Sequence, residues 1–216
     1  MKPLKSETQD AATLQEIGRA SVQIVHDLKN QLNGLKLYAT FLRKRMEKSE
    51  RPGDEQETIT KLIAGLERAA ADMTTLVRYG RPLELRRQPQ TNLLKILRSL
   101  ENTEGVSIEA SVSELPGDFD VAALTEALKI ITSFTLNAQT NENGRRIHLR
   151  SDEDGQRAVI EWRGVKMSNG DDPFHTFAGS EGLRMSLAAK IIETHGGEVA
   201  HERDTLRVLL PLEQQG

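Results

Sequence analysis

Residues 21–42 read SVQIVHDLKNQLNGLKLYATFL, and their spacing decides the fold. Val25, Leu28, Leu32, Leu35, Ala39 and Leu42 recur at alternating steps of three and four, and Met46 continues the series. Such alternation is the seam of a helix that lays one apolar stripe against a partner. The stripe stops at SERPGDE, residues 49–55, where Pro52 and Gly53 break the helix and Asp54 can cap the next. Ile59, Leu62, Leu66, Ala69, Met73 and Leu76 then repeat the spacing. Two amphipathic helices of similar length joined by a tight reversal predict an antiparallel hairpin. Leu37, Ile63, Ala70 and Val77 widen the stripes beyond what one partner hides. Two hairpins are therefore expected to pair as a homodimer with a four-helix bundle.

Past YGRPLELRRQP, residues 79–89, the code changes, with Pro82 and Pro89 marking a linker. TNLLKILRSLE (91–101), DVAALTEALKIITSFTLNAQ (120–139) and SEGLRMSLAAKIIETHGG (180–197) read as helices. GVSIEASVS (105–113), RRIHLRSD (145–152), RAVIEWRGV (157–165), EVAHER (198–203) and LRVLLPL (206–212) read as strands. The sum is an α+β chain: a helical hairpin over residues 10–80, then a mixed sheet covered by helices on one face over 88–213.

Composition narrows the function. A formal net charge of -3 supplies no cationic footprint for nucleic acid or an anionic membrane, and neither is expected as a partner. The absence of cysteine removes thiolate metal sites, disulfides and cysteine nucleophiles together, and a cytoplasmic location is the expectation. No run of about 18 apolar residues is present to span a bilayer, and the opening residues lack a signal-peptide core.

Within the seam, His26 stands one position past the buried edge, on the flank of the bundle, with Asp27 beside it and Asn30 one turn on. Asn33 continues the polar strip. On residue type alone such a pair is ordinary solvated surface. A metal site is disfavoured, because no second histidine follows at i+3 or i+4.

HDLKN on the first helix of an amphipathic hairpin, followed by an α+β domain, resembles the H-box of two-component histidine kinases. The hairpin is similar to their dimerisation and phosphotransfer domain, and the second half to their Bergerat (GHKL-type) ATP-binding domain. The resemblance implies that His26 is the phospho-accepting nucleophile and Asp27 the acid/base neighbour of its other ring nitrogen. It implies that Asn30 can orient a water against a phosphorylated aspartate. The chemistry is sound: a neutral imidazole has a nucleophilic nitrogen only while its other nitrogen keeps a proton, and a carboxylate fixes that tautomer.

The second half departs from the family at its nucleotide positions, and is read as degenerate. SFTLNA resembles the magnesium-binding helix, with Asn137 matching, but Ser133 stands at the earlier asparagine. Trp162 falls where the adenine-reading aspartate belongs, with Gly164 as the first glycine and none two residues later. An indole offers a donor and bulk where adenine needs an acceptor, so Trp162 is expected to be a core or interface anchor. The last helix keeps Gly179, Gly182 and Leu183 of a glycine-rich turn, yet Glu181 sets a negative charge there, and Arg184 and Met185 replace Gly-Leu. The lid is cut to GDDPFHTFA, residues 170–178. His195 is expected to be structural; His148, His175 and His201 show no pairing pattern.

The resulting expectation is a histidine phosphotransfer protein, passing phosphate between His26 and receiver-domain aspartates of response regulators. Lys29, Asn30, Asn33 and Lys36 are the expected exposed docking contacts. No ATP or metal is expected on this chain; magnesium would come with the receiver. The rivals are an ATP-dependent kinase with a diverged site, and a non-catalytic dimeric adaptor or phosphatase.

Overall fold

The computed structural model describes residues 28–44, 53–138, 145–165 and 172–213, together with Ser21, Val25 and Met46. The chain divides into two compact units, Met1–Pro82 and Leu83–Gly216.

In the first unit, α1 covers residues 28–44 and α2 runs Gly53–Gly80. Asp54, expected as a cap, lies inside the first turn of α2. The seam of α1 divides into two rows seven residues apart. Val25, Leu32, Ala39 and Met46 are covered or half-covered, whereas Leu28, Leu35 and Leu42 are exposed. On α2, Ile63 is buried and Leu62 and Leu76 are exposed. Lys36 Nζ meets Glu67 Oε1 at 2.7 Å, tying α1 to α2 beside the covered row.

The second unit is a mixed sheet with helices on one face. Its strands are β2 (Ser107–Ala110), β4 (Arg146–Ser151), β5 (Arg157–Arg163), β7 (Thr205–Pro211) and β6 (Glu198–Glu202), in that spatial order. β2 runs parallel to β4, and the other pairs are antiparallel. Register puts Ile147 opposite Trp162, Trp162 opposite Leu206, and Ile160 opposite Val208, all buried. Period-two alternation sends His148, Glu161 and Arg207 to the other face.

Three helices supply the apolar side: α3 (Leu93–Glu104), α4 (Val121–Ala138) and α5 (Gly179–Thr194). Asn92 caps α3 by accepting from the Leu94 N–H at 3.0 Å, and Gly105 closes it in the left-handed conformation at φ 67°. Asp120 caps α4, accepting from the Ala123 N–H at 3.0 Å. A pair absent from the sequence reading, β1 (Gln88–Asn92) with β3 (Pro116–Phe119), forms a separate two-stranded sheet. Its sequences, QPQTN and PGDF, carry turn residues rather than a strand pattern.

His195 is structural, as expected. Its Nδ1 donates to the Ile191 carbonyl at 2.7 Å and its Nε2 accepts the Asp120 N–H at 3.1 Å, which fixes a neutral tautomer. The ring joins the C-terminus of α5 to the start of α4. From the linker, Arg87 Nη2 donates to the Thr194 carbonyl at 2.6 Å, satisfying the same helix end.

Candidate functional site

The expected nucleophile His26 and its neighbour Asp27 lie outside the described residues. The helix after them is described. Asn30 and Asn33 are exposed, and steps of four carry the same face on to Leu37 and Phe41, which are 64% and 73% exposed. Tyr38 is exposed beside them. The sequence reading assigned Leu37 to the dimer stripe. Two residues advance a helix by roughly 200°, so Leu37 and Leu35 stand on opposite sides. Phe41, out of phase with the seam, was the signal available in the sequence.

Lys29 and Lys36, expected as exposed, are half-buried, with Lys36 drawn to Glu67. The hydrogen bond and charge of Lys36 hold the Glu67 carboxyl below its ordinary range. Among the four expected docking residues, the asparagines face outward most.

At the position of the adenine-reading aspartate, Trp162 is 0% exposed, and its indole Nε1 donates to Thr132 Oγ1 at 3.1 Å. It is the core anchor that the sequence implied. Next to Thr132 in α4, the second substituted position is also occupied by internal bonding. Ser133 Oγ donates to Glu104 Oε2 at 3.0 Å, and Lys129 holds the other oxygen of Glu104 at 3.1 Å.

The glycine-rich turn carries a carboxylate of its own. Glu181 lies in the first turn of α5, where the helix dipole favours an anion, and its Oε1 accepts from Asn137 Nδ2 at 3.4 Å. Gly182 has a packing reason to be glycine: a Cβ there would meet Thr176 Cγ2 at 2.9 Å and the Thr176 carbonyl at 3.2 Å. Gly179 takes the left-handed conformation at φ 71°, which turns the chain into α5.

The segment before α5 is folded down on that helix. Asp172 Oδ1 accepts from the Phe174 N–H at 2.9 Å, Phe174 is buried, and Ser186 Oγ donates to the Thr176 carbonyl at 2.7 Å. His175, which shows no pairing pattern in the sequence, has carboxylate partners in the fold. Its Nδ1 lies 2.6 Å from Asp172 Oδ2 and its Nε2 3.4 Å from Glu193 Oε1, and these carboxylates raise its pKa above the ordinary histidine range. His148 Nδ1 likewise lies 3.2 Å from Glu109 Oε2. Glu193 and Glu109 come from other elements, and Asp172 from the short turn three residues before His175.

Adenine needs an acceptor and an open slot; a magnesium triphosphate needs hard oxygen donors around a cation and a helix terminus clear of negative charge. The described residues at the positions the resemblance assigns do not fit. The acceptor is replaced by a sealed indole, one ligand position by a serine engaged with Glu104, and the helix terminus carries Glu181. Among the described residues, no group of three or more histidine, aspartate and glutamate side chains could hold a metal.

No family model matches the sequence, and no curated protein matches it. Solved structures do match. The Acinetobacter baumannii histidine kinase AdeS aligns over 88% of this chain and 98% of its own, with TM-score 0.58 and 14% identity. Full-length ShkA, in complex with AMPPNP, aligns over 90% of this chain and 46% of its own, at 0.63 and 17%. Histidine kinase ThkA, in complex with response regulator protein TrrA, aligns over 99% of this chain and 68% of its own, at 0.58 and 17%. At these identities the likeness shows the fold: the chain has the histidine-kinase fold.

Proposed function

We propose that the chain is a histidine phosphotransfer protein of a two-component relay. His26 attacks the phospho-aspartate of one response-regulator receiver domain: the N–P bond forms as the acyl O–P bond breaks, and the aspartate leaves as carboxylate. Transfer to a second receiver reverses the step. Asp27 keeps the proton on the other ring nitrogen and balances the charge that develops there. Magnesium bound by the receiver neutralises the phosphoryl oxygens.

The observation that supports this reading is the pairing of a histidine-kinase fold with a buried Trp162, bonded to Thr132, at the position the resemblance assigns to adenine recognition. A chain that keeps the H-box and does not hold ATP must receive its phosphate from another protein. ThkA has a response regulator as its partner in the solved complex, and a receiver is the matching partner here. Asn30 and Asn33 lie on the face that would meet it, with Lys29 and Lys36 on the flank. The exposed leucine rows of α1 and α2 support a homodimer through a four-helix bundle. We infer a cytoplasmic location, where such relays meet their regulators.

Two measurements on the intact protein test the proposal. Isothermal titration with an ATP analogue and magnesium, beside incubation with radiolabelled ATP, is expected to give no binding and no phosphohistidine; self-labelling would establish the kinase reading instead. Phosphorylated receiver domain is expected to label the wild-type chain and not His26→Gln. Regulator binding and biological effect that survive His26→Ala unchanged would make the chain an adaptor.

A further inference from the structure

Residues 172–178 lie on α5 as a strap, and two kinds of contact hold them there. The first does not depend on protons: Phe174 is buried, Ser186 Oγ donates to the Thr176 carbonyl at 2.7 Å, and Gly182 leaves room for Thr176. The second is the His175 ring. Its Nδ1 lies 2.6 Å from Asp172 Oδ2, within the strap, and its Nε2 lies 3.4 Å from Glu193 Oε1, on α5. Both ring nitrogens thus face carboxylates, and the imidazolium is the form that has a proton for each. The bond to Asp172 is the main cause that holds the pKa of the ring above the ordinary histidine range; the charge of Asp172 and the contact with Glu193 add to it against partial burial. From β6, His201 is close enough for its charge to act on Asp172.

We propose that His175 is a proton-dependent latch, which ties the strap to α5 through Glu193 while the ring is an imidazolium and lets it go when the ring is neutral. A neutral ring keeps a single N–H. The shorter contact retains it, so Nδ1 stays bonded to Asp172 and the Nε2 lone pair is turned on the Glu193 carboxylate, which repels it. Asp172 belongs to the strap itself, whereas Glu193 does not. Loss of one proton therefore breaks the link between the elements and leaves the link within the turn. Thr176, held by Ser186, is the hinge, and the turn that lifts carries Phe174 out of its buried seat. The side chains of His175, Asp172 and Glu193 are 56%, 52% and 51% exposed, so the contact shifts the balance between closed and open strap by about two- to fivefold. The latch is closed below the folded pKa of His175 and is released as pH rises through it.

The test is hydrogen–deuterium exchange of the full chain between about pH 6 and pH 9, which brackets a raised histidine pKa. Protection of residues 172–176 is corrected for the intrinsic pH dependence of exchange and referred to β4 and β5, which removes any change in global stability. It is expected to fall about two- to fivefold as pH rises through the His175 pKa. His175→Gln and Glu193→Gln should each lose this step, and His201→Gln should keep it. Strap protection that follows β4 and β5 at every pH, a step that persists in either latch variant, or a step that vanishes in His201→Gln would each overturn the proposal. The Glu193 side chain is half exposed, so Glu193→Gln decides the matter even if His175→Gln fails to fold.

Discussion

Trp162 and Thr132 are joined by one hydrogen bond inside the core: the indole N–H of β5 reaches the hydroxyl of α4 at 3.1 Å, and neither side chain has contact with solvent. The bond satisfies the one polar atom of a ring that otherwise packs as hydrocarbon. It also locks the helix to the sheet where the histidine-kinase resemblance expects an adenine slot.

Replacing Thr132 with Val keeps the volume and leaves the indole N–H without its acceptor. The expected loss is about 1–3 kcal/mol of unfolding free energy, the desolvation penalty of a buried orphan donor. Urea denaturation measures it. In a Trp162→Phe background the same change should be much smaller, because the donor is gone; equal losses in both backgrounds would mean the bond contributes nothing.

Gly197 is a second rigid point. A Cβ at this position would run into the Leu209 carbonyl oxygen and lie 2.8 Å from Ile192 Cγ2, so the turn from α5 to β6 would have to move off β7. Gly197→Ala is expected to destabilise by about 1–3 kcal/mol, as overpacking does. Gly34→Ala on α1, where a Cβ meets nothing within 4 Å, is the control and should be neutral or stabilising. Thermal unfolding of both variants decides it.

The helical hairpin and the five central strands were legible because their apolar periods, 3.5 and 2, survive in the residues themselves. The β1–β3 pair was not. Pro116, Gly117 and Gln90 are turn residues by type, and only the docking of the linker on the α3–α4 connection pairs them; Gln90 has φ 54° to do so. Trp162 as a core anchor and Glu181 as a carboxylate at the helix terminus were legible, because each breaks a motif at one position. Their partners, Thr132 and Asn137, were not, since they lie 30 and 44 residues away and meet only in the folded unit. Glu193, one partner of His175, escaped for the same reason, since it lies 18 residues on in α5.

Acid should weaken the second unit through His195. Burial is the main cause that pushes its pKa below the ordinary histidine range, and the Arg87 guanidinium adds to this against the opposing Ile191 carbonyl, Asp120 and Asp118. The unfolded chain then binds a proton at higher pH than the folded one. Stability from the neutral ring is complete above about pH 6.5, and falls as pH drops from there through the folded value. His175 has the opposite sign: its raised pKa stabilises below the same point and is lost as pH climbs through its folded value. It is 56% exposed, so solvent screening leaves it the smaller effect. Urea titrations at several pH values should show stability falling between about pH 6.5 and 5, and His195→Gln, less stable at neutral pH, should flatten that slope. A His195→Gln variant with an unchanged slope would assign the acid sensitivity elsewhere.

The exposed row on α1 gives the sharpest test of assembly. Leu28, Leu35 and Leu42 stand seven residues apart, and Leu35 is 54% exposed in the isolated chain. Leu62 and Leu76 repeat the pattern on α2. Rows of this spacing on both helices of a hairpin match the inner positions of a four-helix bundle. Covering one leucine is worth about 1.5–3 kcal/mol, and a two-fold interface contains each position twice. Leu35→Lys should therefore weaken association by about 3–6 kcal/mol, roughly 10²–10⁴ in the dissociation constant. Sedimentation equilibrium should find wild-type dimers and Leu35→Lys monomers at the same concentration. Leu37→Lys, on the opposite face, should leave the dimer intact and weaken receiver binding. Monomeric wild-type protein would overturn the dimer, and a Leu37→Lys variant that dissociates while Leu35→Lys does not would reverse the assignment of the two faces.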